Sequence, residues 1–267
     1  MRLYDTHCHF ERADPTEIAA ILRRAKTAGV ERLMAVGGSD ALNESTALAV
    51  QVAADSLIAP KVCCAVGYDR EQCNLSNLSN VSSLSNFPPQ AAVGEIGLDY
   101  HYSPETREAQ LGLFGEQLEE ARRRDLPVVI HTREADDDTL ALLREIPSRG
   151  IIHCYTGTPG CAKAYLDLGF FISISGIVTF RPADNVRATA LVIPDDRILI
   201  ETDSPFLAPV PMRGNPNEPA FVRHTCEFLA NCRNMSADDF AELTFANAER
   251  VLGVSDSAAA NAIIPQL

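Results

Sequence analysis

Short apolar and β-branched runs alternate along the chain with longer segments in which apolar positions recur at helical spacing. This alternation is typical of repeated βα units. Eight runs are predicted as strands: Arg2–His7, Arg32–Gly37, Lys61–Gly67, Ala91–Ile96, Pro127–His131, Ile151–Cys154, Phe170–Ser175 and Arg197–Asp203. Helices are predicted between them at Pro15–Ala28, Ala41–Ala54, Glu105–Arg124, Ala135–Ile146, Cys161–Leu168 and Ala183–Val192. Eight strands at this spacing favour an α/β fold with a single closed (β/α)8 barrel, the TIM barrel.

The rest of the chain carries weaker signals. A proline-rich loop follows the eighth strand and precedes helices predicted at Ala220–Cys232 and Ala237–Leu252. The Ser/Asn-rich stretch Asn74–Asn86 spaces its apolar residues by three, which predicts a poorly formed helix or an adaptable surface segment. We therefore expect one barrel domain over residues 1–254 and a poorly ordered tail over residues 255–267.

Composition narrows the class of protein. The chain has 267 residues, of which 46% are hydrophobic and 22% charged, as in a globular protein with a sizeable core. No apolar run approaches the ~20 residues of a membrane span, and no apolar signal region opens the chain, so we expect a cytoplasmic location without membrane contact. The net charge of −13 argues against a surface that coats duplex nucleic acid. A compact site in which metal ions supply positive charge stays open.

Candidate metal ligands lie at the C-terminal ends of the predicted strands. His7 and His9 project to one side of the first strand because side chains alternate along a strand. The same strand-end position recurs in Glu95, His131, His153 and Asp203. In a (β/α)8 barrel these ends converge on the face where chemistry occurs. Taken singly, each is more often a hydrogen-bonded strand-end residue; together the six suit two divalent ions, Zn, Mg or Mn, with Glu95 as a possible bridge.

Several longer segments carry a family resemblance. The relevant residues are Asp5-Thr6-His7-Cys8-His9, Gly94-Glu95-Ile96-Gly97-Leu98-Asp99-Tyr100, Ile130-His131-Thr132-Arg133-Glu134-Ala135, His153-Cys154-Tyr155-Thr156-Gly157, Glu201-Thr202-Asp203-Ser204-Pro205 and Arg213-Gly214-Asn215. In this order they resemble the signature segments of TatD-type metal-dependent deoxyribonucleases. The resemblance implies an amidohydrolase-like TIM-barrel hydrolase that acts on phosphodiesters of DNA.

The resemblance also implies roles for individual residues. His7, His9, Glu95 and Asp203 would hold one metal ion, and Glu95, His131 and His153 the second. The family usually has Gly-x-His-Pro after the third strand, whereas this chain has Gly67-Tyr68-Asp69-Arg70. A carboxylate at Asp69 would repel a phosphate unless Arg70 compensates or a metal ion is recruited there.

Two further arginines are candidates for substrate binding. Arg133 follows His131 and could contact a phosphate, or instead pair with Asp99 or Glu134. Arg213 lies in a late segment that resembles the family.

The predicted reaction is attack of a metal-activated hydroxide on phosphorus at a binuclear site. Asp203 would orient the hydroxide or take its proton, and Glu95 would fix the metal spacing. The net acidity predicts DNA ends or single strands as the substrate, with exonuclease action, and no stable protein partner is implied. Two alternatives stay open: an amidohydrolase-like enzyme acting on an amide, ester or aminoacyl substrate, and a non-catalytic metal-binding barrel.

Overall fold

The computed structural model describes residues 1–11, 14–73, 81, 84, 87 and 90–253. The predicted tail, 255–267, lies outside the described residues, as does most of the predicted segment 74–86. Within the described residues, no helix is long and apolar enough to cross a membrane.

Eight parallel strands form one sheet in strict chain order, β1-β2-β3-β4-β5-β6-β7-β8. Their bounds are β1 Leu3–Cys8, β2 Val30–Gly38, β3 Lys61–Tyr68, β4 Ala92–Asp99, β5 Val128–Arg133, β6 Gly150–Ile152, β7 Phe171–Ile174 and β8 Ile198–Ile200. A parallel bridge between Cys8 and Ser204 joins the first strand to the residues that follow the last. The predicted (β/α)8 barrel is thereby confirmed.

Helices follow or separate the strands: α1 Pro15–Thr27, α2 Asp40–Ala54, α3 Arg107–Arg123, α4 Asp136–Glu145, α5 Pro159–Asp167, α6 Asp184–Val192, α7 Val222–Cys232 and α8 Ala237–Leu252. Several begin where a side-chain oxygen accepts hydrogen bonds from the first free backbone N–H groups. Asp14 caps α1 in this way, Ser39 caps α2, Thr158 caps α5 and Ser236 caps α8. These four helix starts are therefore encoded locally by Asp, Ser and Thr.

The core has two layers, because alternate strand residues point to opposite faces of the barrel wall. Outward residues such as Leu33, Ile130 and Ile172 pack beneath the helices. Inward residues, among them Met34 and Val129, fill the barrel interior together with Phe245 of α8. α8 therefore contributes to the packed interior, and the opposite, C-terminal mouth of the barrel is left for polar side chains.

Two strand ends differ from the prediction by three residues. β4 runs three residues further than expected, to Asp99, where it still pairs with Arg133 of β5. β8 ends at Ile200 instead of Asp203. The backbone N–H of Thr202 donates to the Asp5 side chain, and Asp203 takes a left-handed φ of 57°, which a continuing strand does not accommodate. The carboxylate of Asp203 thus stands on a turn beyond the strand.

Candidate metal centre

The six predicted ligands meet at the C-terminal mouth of the barrel. Glu95 lies at the centre: its Oε2 is 3.5 Å from His7 Nε2 and 3.6 Å from His9 Nε2. Its Oε1 is 3.4 Å from both His131 Nδ1 and His153 Nε2. Asp203 Oδ1 lies 3.6 Å from His9 Nε2 and 3.8 Å from His7 Nε2. One carboxylate therefore faces two pairs of imidazoles, one pair on each oxygen.

A register irregularity in β1 aims the two first histidines into the barrel. Tyr4 belongs to the interior cluster and the hydroxyl of Thr6 contacts that of Ser173, so these even-numbered residues point inward. Regular alternation would then send His7 outward. The pairing of β1 with β2 shifts between Asp5 and Cys8, and Cys8 packs in the outer layer. Such a bulge re-aims side chains, here turning the odd-numbered His7 and His9 toward the site.

Neighbouring groups hold three of the imidazoles by the nitrogen that faces away from the site. His9 Nδ1 lies 2.8 Å from the carbonyl oxygen of Val36 and donates its N–H to it. The other ring nitrogen, Nε2, then has a free lone pair that points into the site. His131 Nε2 lies 3.0 Å from Asp99 Oδ2, and His153 Nδ1 lies 3.4 Å from Glu201 Oε1. A carboxylate or carbonyl behind a histidine is the usual partner of a metal-ligating imidazole.

Sequence reasoning assigned no such role to Asp99 or Glu201, although both stand in the segments that carry the family resemblance. Asp99 was expected, if anything, to pair with Arg133. The available signal was their position at the ends of β4 and β8, next to residues chosen as ligands.

The donor set fits divalent metal ions. The candidate ligands form three groups, and within each group the ligand atoms lie within 4.8 Å of one another. The groups are His7, His9 and Glu95; His7, His153 and Asp203; and Glu95, His131 and His153. Two ligand atoms bound tetrahedrally to one ion, each about 2.1 Å from it, would be roughly 3.4 Å apart, close to the spacings seen around Glu95. His153 Nε2 is buried and has no hydrogen-bond partner among the described residues. A cation between these atoms would satisfy it.

The buried carboxylates of the cluster need positive charge beside them. Burial alone would raise the pKa of Glu95, but the charge of His153, whose Nε2 lies 3.4 Å from Glu95 Oε1, holds that pKa well below its usual range. Burial likewise acts against the charged form of His153, yet Glu95 and Glu201 raise its pKa well above the ordinary value. Buried carboxylates that remain ionised need a cation beside them, which protons on histidine or bound metal ions can supply.

The loop after β8 is tied to β1 by the side chain of Asp5. Its Oδ1 accepts the backbone N–H of Thr202 at 2.8 Å, and its Oδ2 accepts the Thr202 hydroxyl at 2.6 Å. The N–H of Asp203 donates to the carbonyl of His7 at 2.9 Å. Asn217 donates from its side chain to the carbonyls of Thr202 and Phe206. These contacts place the Asp203 carboxylate opposite the two histidines of β1.

The predicted substrate-binding residues occupy different environments. Arg70 Nη1 lies 3.1 Å from Glu95 Oε1, inside the site. The Asp69 carboxylate instead accepts the backbone N–H of Glu71 and caps the short turn that contains Arg70; burial and the charge of Glu95 raise its pKa to about 7. Arg133 stacks over the ring of Tyr102 and Arg213 over that of Phe180. Only Arg70 of these four thus forms an ion pair with one of the six candidate ligands.

Two aromatic rings are exposed on loops at the same mouth. Tyr102, which follows β4, has 65% of its surface exposed. Phe206, which follows β8, is 49% exposed and meets the ring of His9 edge-on, with ring centroids 6.5 Å apart. Single exposed apolar rings are common on protein surfaces, so these two are of interest only because they lie on loops that follow strands of the candidate site.

Comparison with known proteins adds three findings. The family model described as TatD related DNase matches residues 4–253. A protein of Escherichia coli K12 named uncharacterized metal-dependent hydrolase YcfH is 36% identical to this chain. The alignment covers 96% of this chain and 98% of that protein. The 3'-5' ssDNA/RNA exonuclease TatD of Erwinia tasmaniensis is 31% identical, over 88% of this chain and 93% of that protein.

The fold agrees with these sequence matches. The crystal structure of YJJV, a TatD homologue from Escherichia coli K12, aligns with a TM-score of 0.82 at 29% identity and covers 95% of this chain and 99% of that one.

Proposed function

Because this chain belongs to the TatD-related DNase family and is a metal-dependent hydrolase, we propose that it cleaves phosphodiester bonds of DNA at a binuclear metal site. The observation that carries the proposal is the cluster around Glu95, whose two oxygens face separate pairs of imidazoles. His7, His9, Glu95 and Asp203 would hold one ion, and Glu95, His131 and His153 the other. When bound, two such ions supply positive charge against a phosphate and lower the pKa of a water molecule.

The protein's own groups have distinct tasks in this reaction. Asp203 would take a proton from the attacking water at its carboxylate, which the contacts from His7 and Asp5 hold on a fixed turn. The histidine cluster favours the ionised form of that carboxylate: burial acts to raise the pKa of Asp203, but His9, 3.6 Å from Asp203 Oδ1, and the charges of the other histidines lower it. Glu95 would fix the spacing of the two ligand groups.

We further infer that the substrate is presented as an end or a single strand. A net charge of −13 opposes extended contact with duplex phosphates. Exposed aromatic rings such as Tyr102 and Phe206 can stack on unpaired bases, a mode that tolerates any sequence. The name of the Erwinia tasmaniensis relative, a 3'-5' exonuclease of single-stranded DNA and RNA, supports exonuclease action and adds RNA as a substrate to test.

Metal analysis and end-labelled digestion test the proposal together. Purified protein should bind two equivalents of Zn²⁺ or Mn²⁺ and shorten end-labelled single-stranded DNA stepwise, and chelation should abolish cleavage. Glu95→Gln should lose both metal binding and cleavage. Glu242→Gln, which removes the ion pair between Glu242 on α8 and Arg2, should retain both.

Parallel assays with an amide, an aminoacyl ester and a chromogenic phosphodiester separate the rival activities. Turnover of the amide or ester alone, or cleavage of DNA by fully metal-free protein, would contradict the proposal.

A further inference from the structure

Arg70 lies against the central carboxylate of the cluster. It opens a short 3-10 turn, Arg70–Gln72, immediately after β3, and its side chain is 19% exposed. Its Nη1 is 3.1 Å from Glu95 Oε1, the oxygen that also faces His131 Nδ1 and His153 Nε2 at 3.4 Å. The guanidinium therefore stands at the edge of one predicted metal position and shares that position's carboxylate oxygen.

We propose that Arg70 is a phosphate-binding residue that exchanges partners when the site is loaded. This inference rests on the proposed function. A divalent ion held by Glu95, His131 and His153 would offset the negative charge that Arg70 contacts, and the guanidinium donors would then be available to another acceptor. The planar fork of an arginine then matches the oxygens of a phosphate placed beside that ion. Arg70 thereby supplies positive charge to the substrate in a protein whose net charge is negative.

Charge and surroundings single out Arg70 among the candidate arginines. Arg133 and Arg213 lie over aromatic rings, with the guanidinium carbons 4.7 Å and 4.0 Å from the ring centroids of Tyr102 and Phe180. The second Arg70 contact, from Nη2 to Glu71 Oε1, is 3.6 Å long and reaches an exposed carboxylate. Such a surface pair contributes little and yields readily to a better acceptor.

The end of β3 is held in place, so Arg70 has a defined position. The backbone N–H of Tyr68 donates to Gln117 Oε1 at 2.7 Å, and Gln117 Nε2 donates to the Tyr68 carbonyl at 2.8 Å. Asp69 then accepts the N–H of Glu71 at 2.8 Å, and its own N–H donates to Gly38 O at 2.8 Å. Asp69 is accordingly a positioning residue: it caps the turn that directs Arg70 toward Glu95.

Calorimetric titrations of two ligands test the exchange. Metal-free protein is titrated with Mn²⁺, and Mn²⁺-loaded protein with inorganic phosphate. Arg70→Gln should weaken phosphate binding about 10- to 100-fold, the effect of losing a hydrogen bond to a charged group. It should leave Mn²⁺ affinity unchanged or higher, because the competing cation on Glu95 is gone. Arg70→Lys should be intermediate for phosphate, since an ammonium keeps the charge without the fork.

One further variant serves as a matched control. Arg122→Gln removes an arginine that pairs with Glu119 near the far end of α3, and it should change neither titration. Asp69→Asn tests the positioning role separately: it keeps a side-chain oxygen to cap the turn, so Arg70 should stay in place and phosphate binding should be retained within about threefold. Circular dichroism of every variant confirms that the barrel is folded before the titrations are compared.

Several results would overturn the inference. Phosphate affinity that is equal in wild type and Arg70→Gln, or wild-type Mn²⁺-loaded protein that binds no phosphate, rules out a phosphate contact. A tenfold or greater loss of Mn²⁺ affinity in Arg70→Gln assigns Arg70 a structural role in orienting Glu95. Failure of the proposed function gives a different result. The wild type would then bind Mn²⁺ and phosphate but cleave no phosphodiester, and the titrations of the Arg70 variants would still show whether Arg70 binds phosphate.

Discussion

At the scale of single residues, the site depends on groups that stand behind the ligands as much as on the ligands. Glu201 is fully buried and faces His153 Nδ1, and Asp99 faces His131 Nε2. Each carboxylate fixes which imidazole nitrogen carries the proton and which points into the cluster. Loss of either one should therefore act on metal affinity without touching a metal ligand.

We expect Glu201→Gln to weaken Zn²⁺ or Mn²⁺ binding about 10- to 100-fold, because the His153 ring loses its charged partner while the side chain keeps its size. Competition with a fluorescent chelator measures the change. The control is Glu249→Gln. It removes the charge with which Glu249 on α8 pairs with Arg32 on β2, and it should bind metal as the wild type does. Unchanged metal affinity in Glu201→Gln would show that Glu201 has no part in holding His153.

The sequence predicts the clustering of the six candidate ligands better than it predicts the groups behind them. Histidines and carboxylates at five strand ends are unusual enough to be singled out together, and the structure brings the six into one cluster. Asp99 and Glu201 belong to the same segments, but the role of a strand-end carboxylate depends on which way its side chain points. That direction follows from the three-dimensional register, which residue types alone do not specify.

At the scale of elements, α3 and the strand ends hold the site together. Two buried glutamines seven residues apart on one face of α3 bind the backbone at neighbouring strand ends: Gln117 binds Tyr68 of β3, and Gln110 binds Asp99 of β4. Between β4 and β5 the packing is equally close. Gly97 has φ +134°, and a Cβ built there would lie 2.0 Å from the carbonyl oxygen of His131.

Gly97→Ala should therefore destabilise the protein by about 3 kcal/mol or more, because it combines an overlap with a backbone conformation that alanine rarely adopts. Urea unfolding gives the free energy, and metal content should fall as His131 is displaced. Gly112→Ala on α3 is the matched control: a Cβ there meets nothing within 4 Å, and alanine should stabilise the helix by about 0.5–1 kcal/mol. Equal stability of the two variants would contradict the close β4–β5 contact.

Element order was predictable from the βα alternation, whereas the orientation of β1 was not. The expected projection of His7 and His9 to one side is what the structure has, but regular pairing would have turned that side outward. The shift between Asp5 and Cys8 corrects it, and the sequence offers no marker for such a shift. The same holds for β8, whose end is set by the bond from Thr202 to Asp5, a residue nearly 200 positions away.

At the scale of the whole molecule, the proposed substrate sets a constraint: an acidic protein that acts on DNA must bind an acidic polymer through a small area. The mouth of the barrel offers metal ligands, Arg70 and the exposed rings of Tyr102 and Phe206. Base stacking adds affinity without requiring net positive charge, and this separates binding of single strands from binding of duplex DNA.

We expect Tyr102→Ala and Phe206→Ala each to raise KM for a single-stranded oligonucleotide about 5- to 100-fold, the effect of removing one stacking ring. KM for a small chromogenic phosphodiester, which has no bases to stack, should change less than twofold. Leu191→Ala removes an exposed apolar side chain on α6 and should leave both KM values as in the wild type. Equal losses on both substrates would show that the rings do not contact bases.

The bridge between Cys8 and Ser204 makes the site depend on late steps in the synthesis and folding of the chain. His7 and Asp203 come from opposite ends of the sequence and meet only when β8 docks against β1. Contacts between residues so distant carry a large entropic cost, since a long loop must close before they are made. A nascent chain that has not yet released Asp203 from the ribosome carries an incomplete ligand set. Metal loading would then mark the final closure of the barrel.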